Sequence, residues 1–340
     1  MLAPGSKSSQ IAGGSTLAAI GISIAVGCAL ISGLVVSAII DKVLLLRGGD
    51  IGLLQHPGFF AIIAGDAALV LILSITSKSL NSINSDIPNS NSRYSKRALR
   101  AAVDSHWNGG SSLFFRILVF SSLAGLMALI NQSIKLGSAQ HYYGHDTFDS
   151  INHTFSYISA RIVLFISWCI VIPIYISQAV TYFRFIDTIF KRMHKAGALS
   201  FFVEHRDRNG GFAFIGNINI LFNVGLLIVI IESIILAYTH RVVSIEIIVS
   251  IFTFGLMFVA FSYISTFRIL SILGAIEDSM KIENFKKIRS SGAEIDSYHL
   301  ALNFGVRFSL YTATTERILL SMRAAAFIPT VYKIYVYTSV

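Results

Sequence analysis

This chain is short of charge. Asp, Glu, Lys and Arg make up only 13% of its 340 residues, about half the share found in soluble domains, and none of them occurs between Ser8 and Ile40. Cysteine is scarcer still. Cys28 and Cys169 stand alone inside apolar runs, form no CxxC pair or metal-ligand spacing, and say nothing about redox compartment; both are expected to be packing residues. A P-loop, an H-E-x-x-H pair and a G-x-S-x-G elbow are also missing, which removes energy-coupled ATP transport and the common hydrolase chemistries from the candidates. No cofactor is expected, and the balance leans against an enzyme.

What fills the chain instead is hydrocarbon. With 54% hydrophobic residues and a mean hydropathy of +0.68, it reads as an integral membrane protein. A bilayer core about 30 Å thick needs roughly 20 apolar residues in a helix, and six runs meet that length, at about 16–40, 58–77, 112–134, 157–183, 214–238 and 243–267. The expected fold is all-α: a polytopic transmembrane bundle of about six helices over 1–270, followed by a cytosolic helical tail over 271–340. The last stretch, 324–340, contains Pro329 and Lys333 and is expected to be interfacial or re-entrant. The first run is expected to be a retained helix rather than a cleaved signal.

Lys and Arg collect in alternate loops, which orients the bundle. Lys78, Arg93, Lys96, Arg97 and Arg100 follow the second run, and Arg184, Lys191, Arg192, Lys195, Arg206 and Arg208 follow the fourth. The tail adds Lys281, Lys286, Lys287 and Arg289. Both termini are therefore expected to be cytoplasmic. The net charge of +9 fits attraction to anionic membrane lipids rather than to nucleic acid, since no basic module with interleaved aromatics is present. Residues 79–95, rich in Ser and Asn, read as a linker.

Helix one carries Gly21, Ala25, Ala29, Gly33 and Ser37 at every fourth position. Such a ridge lets helices approach closely in lipid, so it is expected to form a tight contact, within the bundle or between copies in a homo-oligomer. Pro173 in helix four removes a backbone donor and is a candidate kink.

The most charged stretch of the chain, EHRDRNGGFAFIG at 204–216, stands at the entrance to helix five. Asn209 is suited to cap that helix and Gly210-Gly211 permit a tight turn. Backbone N–H groups there, flanked by Arg206 and Arg208, would suit an anion or a partner, while His205 and Asp207 lack the nucleophile or metal that catalysis would need. A second Asn-Gly-Gly, at 108–110, precedes helix three and lies 101 residues before the first, the same offset that relates Asn131 to Glu232. Duplication and chance both account for that match. His205, Asp207, Arg208, Gly210, Gly211, Phe214 and Gly216 resemble the H-P-D-x-x-G-G-x-x-x-x-G signature of uncharacterised bacterial multi-pass membrane proteins, departing from it at Arg206, where proline is usual. The resemblance implies a bacterial inner-membrane protein and carries no activity with it.

In the loop after helix three, His141, His145, Asp149 and His153 recur at four-residue spacing. Adjacent pairs such as His141 and His145 would hold a metal through one helix face. The whole set spans about 18 Å at helical rise, too far for one ion, and a solvated loop is the simpler reading.

Charges inside the runs carry the most functional weight, because each costs about 2.5 to 3.5 kcal/mol to insert. Asp66 lies about 12 Å from the outer end of helix two and Glu232 about 9 Å from that of helix five. Arg161 and Asn131 fall near the same level, so the four are expected to converge. One arginine cannot match two carboxylates, which leaves an ion pair plus a site for a cation or proton. Two function classes follow: ion or small-solute permeation through the bundle, or a membrane-anchored sensor or effector, such as a stress or defence effector, acting through its cytosolic loops and tail. A membrane enzyme ranks third.

Overall fold

The computed structural model describes residues 7–45, 52–55, 57–86, 112–139, 154–187 and 213–239, with separate residues inside 252–282 and 317–331. The chain is an all-α membrane protein: among the described residues there is no strand, and five helices are long and apolar enough to cross a bilayer. They are α1 (Lys7–Ile40), α2 (Pro57–Asp86), α3 (Ser112–Ala139), α4 (154–185) and α5 (Ala213–Thr239). The described residues of 252–282 are helical; they include part of the sixth run and residues beyond it, and are labelled α6 together, its bounds lying outside the described residues.

Each boundary has a local cause. α1 ends in a Schellman turn, with the Val43 N–H donating to the Ala38 carbonyl at 2.8 Å and the Lys42 N–H to that of Ile39 at 3.1 Å. Lys42 adopts φ 60°, the left-handed conformation usually given to glycine at this position. Val43 and Ala38 are both buried, which supplies the apolar contact of the motif. The chain then returns along itself, the Leu53 and Leu54 N–H groups donating to the Val43 and Leu44 carbonyls at 3.0 and 3.2 Å. α2 starts on Pro57, where a missing N–H costs nothing. Asp41 caps a different helix: its Oδ2 accepts from the Ser156 N–H at 2.6 Å, in the first turn of α4, where a carboxylate also meets the positive end of the helix dipole.

Helix α1 packs on α2 through Ser23, Gly27, Leu34 and Ala38. A β-carbon at Gly27 would lie 3.8 Å from Ala67 Cβ and 3.9 Å from Ile63 Cγ2, so the two helices meet closely there. The expected ridge does not make that contact. Gly21, Ala25, Ala29 and Gly33 are exposed, with nothing within 4 Å of a β-carbon at Gly21 or Gly33. The inward stripe combines small residues with Leu34, a knob to fill the groove; the ridge is small throughout and offers the bundle little to bury.

Two apolar cores stack along the bundle. One gathers Leu34, Ala38, Val43, Leu53, Phe59, Ile62 and Ile63 of α1, α2 and their connection with Ala160, Val163 and Leu164 of α4. The other joins Leu69 and Ile72 of α2 to Tyr175, Tyr182, Phe185, Ile215 and Phe222, and takes in Leu319 from the tail. On α2 the first core ends at residue 63 and the second starts at 69; on α4 they end at 164 and start at 171. The outer surface matches lipid: Phe120 and Met127 of α3 are 73% and 66% exposed.

Candidate functional site

Polar side chains occupy the level between the two cores. Asp66 of α2 is 2% exposed, Glu232 of α5 is 4% exposed and Ser167 of α4 is fully buried. The two carboxylates are electrostatic neighbours, and the Ser167 hydroxyl faces Asp66. None of the four carboxylate oxygens accepts a hydrogen bond, and the Ser167 hydroxyl makes none. Gly65 allows the approach: any β-carbon there would overlap the Glu232 carboxylate.

Ser167 owes its place to an irregular turn. Within α4, α-helix Thr154–Phe165 passes into a π-helical segment, Ile166–Val171, before α-helix resumes over Ile172–Phe185. The Ile172 N–H donates five residues back, to the Ser167 carbonyl. Pro173 has no N–H to give. The carbonyls of Trp168 and Cys169 therefore both lose their regular partners, Ile172 and Pro173. α3 answers both. The Ser122 hydroxyl donates to the Cys169 carbonyl at 2.9 Å, and Gly125 brings its backbone so near the Trp168 carbonyl that a β-carbon would collide with it. Wide turns of this kind recur at functional sites in membrane and soluble helices alike. The expected kink at Pro173 is thus realised as a π segment.

Of the four residues expected to converge, Asp66 and Glu232 do. Arg161 points elsewhere: its guanidinium carbon stacks 5.0 Å from the centroid of the Tyr157 ring, and neither acid takes a hydrogen bond from it. Asn131 is helical, in α3, with its side chain outside the described residues. Also outside them are the 204–211 motif with His205, Arg206, Asp207, Arg208, Gly210 and Gly211, and the loop with His141 and His145. Among the described residues no three His, Cys, Asp or Glu side chains gather closely enough to bind a metal ion. Cys169 is buried as expected of a packing residue, whereas Cys28 is exposed on α1.

A second polar track was not foreseen. The Asn223 amide donates to the Asn219 carbonyl at 2.7 Å, and the Asn219 amide reaches the Thr266 hydroxyl of α6 at 3.4 Å. Arg323, from the tail, donates through Nε to the Ser262 hydroxyl at 3.0 Å and through Nη2 to the Ser262 carbonyl at 3.3 Å. Phe327 meets Phe252 with ring centroids 6.0 Å apart, so this part of the tail lies along α6. Arg268 of α6 is clamped bidentately by Asp187, at 3.1 and 2.8 Å. Amides at i and i+4 in an apolar run, Asn219 and Asn223, were the available signal.

Comparison with protein-family models, curated proteins and solved structures gives no match to this chain.

Proposed function

We propose that the bundle moves a small cation, a metal ion or a proton, across the bilayer by way of Asp66 and Glu232. The observation that carries this reading is two neighbouring carboxylates between apolar cores with no hydrogen-bond donor on any of their oxygens. A charge at such depth costs about 2.5 to 3.5 kcal/mol even on lenient scales. A structural carboxylate offsets that cost with donors. These two have none, so their charge is met by something that arrives and leaves. The apolar cores on both sides favour an occluded site, exposed to one face at a time, over an open pore.

The proposed setting is a bacterial inner membrane with both termini in the cytoplasm. On that orientation the acids lie in the outer half of the bundle. The test is flux. Purified protein in vesicles should collapse an imposed cation or proton gradient, and Glu232→Gln should abolish the movement while the protein remains folded. Undiminished flux in that variant would sink the reading.

One observation favours the sensor or effector class: the tail is tied to α6 by Arg323 and Ser262. If that class holds, intact vesicles stay tight and leak only once Arg323→Ala has released the tail.

A further inference from the structure

Two arginines stand near the same edge of the bundle, and one of them is matched in charge. Arg268 of α6 is held bidentately by Asp187, at 3.1 and 2.8 Å, and its side chain is exposed. That pair marks the aqueous edge. Arg323 of the tail has neutral partners: its Nε donates to the Ser262 hydroxyl at 3.0 Å, and its Nη2 to the Ser262 carbonyl at 3.3 Å and the Thr266 hydroxyl at 3.4 Å. Its guanidinium carbon lies 5.7 Å from the centroid of the Tyr263 ring. No carboxylate among the described residues pairs with it.

The guanidinium is pinned at a particular depth. At helical rise, Ser262 and Thr266 lie about 9 and 3 Å along α6 from Arg268, within two turns of the aqueous edge. An arginine in hydrocarbon ordinarily extends its stem until the head meets water; the bonds from Nε and Nη2 to α6 prevent that here. The remaining nitrogen, Nη1, donates to no described residue and is not buried. The side chains next to it along both helices, Tyr263 and Phe267 of α6 and Leu320 one turn before it in the tail, are all exposed. A tyrosine in such a place is typical of a membrane interface. The unmatched charge thus faces the bilayer, at the depth of the phospholipid phosphates.

We propose that Arg323 binds the phosphate of an anionic phospholipid in the leaflet on the Asp187–Arg268 side, the lipid completing the joint between the tail and α6. Guanidinium and phosphate suit each other, with N–H donors facing anionic oxygens and charge on both partners. A zwitterionic lipid brings its own amine to its phosphate. Phosphatidylglycerol brings a net negative charge, which is what this site leaves unmet. The loop that follows Asp187 carries Lys191, Arg192 and Lys195, and such basic segments draw anionic lipid to the leaflet beside them. Arg323 gives one of those lipids a fixed seat, whether or not Asp66 and Glu232 carry an ion.

The purified full chain, stripped of lipid in a neutral detergent, is titrated with phosphatidylglycerol, with phosphatidylcholine and with inorganic phosphate, reading thermal unfolding and, by native mass spectrometry, the lipid retained. A saturable rise in unfolding temperature with phosphatidylglycerol is expected. Arg323→Gln should raise its midpoint about tenfold, the size of one hydrogen bond between charged groups. Arg323→Lys, which keeps the charge, should preserve the preference for the anionic lipid, and Arg97→Gln, which removes a charge from the loop after α2, should leave the midpoint in place. A phosphatidylglycerol with a diazirine high on one acyl chain tests the parent without any substitution: it should label α6 and the tail around Tyr263 and Leu320.

An equal response to phosphatidylcholine overturns the anionic-lipid site, and an equal response to inorganic phosphate makes it a site for the free ion instead. A midpoint that Arg323→Gln moves no further than Arg97→Gln does places the lipid elsewhere and overturns the assignment. If Arg323→Gln does not fold, labelling confined to other helices overturns it in the parent.

Discussion

Ser122 of α3 donates its hydroxyl to the Cys169 carbonyl of α4 at 2.9 Å, replacing the backbone bond that Pro173, four residues further on, cannot make. One residue in α4 thereby dictates the chemistry of its neighbour. Removing Ser122 leaves the carbonyl unpaired in the membrane, a cost of about 1 to 3 kcal/mol. Ser122→Ala should lower the unfolding temperature of the purified protein, and Pro173→Ala in the same background should recover it by restoring the donor. No recovery would mean that the π segment is held by packing rather than by the missing N–H.

Two glycines offer opposite tests of helix packing. At Gly65 a β-carbon would overlap the Glu232 carboxylate, and at Gly33 it would meet nothing. Gly65→Ala should therefore force Glu232 from its place and cost about 1 to 3 kcal/mol, the usual penalty for overpacking. Gly33→Leu should leave folded yield and thermal stability unchanged in the monomer. A destabilised Gly33→Leu protein would show that the α1 ridge is covered by something, a second copy of the chain being the first candidate by size-exclusion mass.

These outcomes also mark how far the sequence could be read. The spans were legible because twenty uncharged residues in a row have few other uses, and Asp66 and Glu232 because a carboxylate in such a run is conspicuous. Their meeting followed from equal depth. Arg161 shared that depth, but depth is only one coordinate. Six residues at about 100° each turn a helix about 240°, so Arg161 and Ser167 of α4 face different neighbours, and only Ser167 faces Asp66. Ser167 itself was hidden, since serine is common in membrane helices and its placement depends on a π turn. That turn is set by Pro173 together with Ser122 and Gly125 on another helix. Which stripe of α1 faces the bundle was hidden for a related reason: α1 has two stripes of small residues, and the choice between them within one chain belongs to Ile63 and Ala67 of α2, which pack on Gly27.

The strongest test of the acids lies in stability rather than flux. A carboxylate retained for the fold would be bonded, and its amide replacement would cost the protein those bonds. Neither Asp66 nor Glu232 accepts a hydrogen bond, so Asp66→Asn and Glu232→Gln remove no attraction within the protein and relieve the cost of holding charge in hydrocarbon, about 2.5 to 3.5 kcal/mol on insertion scales. Each variant should unfold at the same temperature as the parent or higher, measured in choline chloride so that no metal cation stabilises the parent. With the cation that the transport reading calls for, the order should reverse, because only the parent gains from the ion. The amide side chains keep nearly the same volume, so packing does not confuse the comparison. If both variants melt well below the parent in choline, the carboxylates hold the bundle together through partners of their own, and a structural role replaces the ionic one.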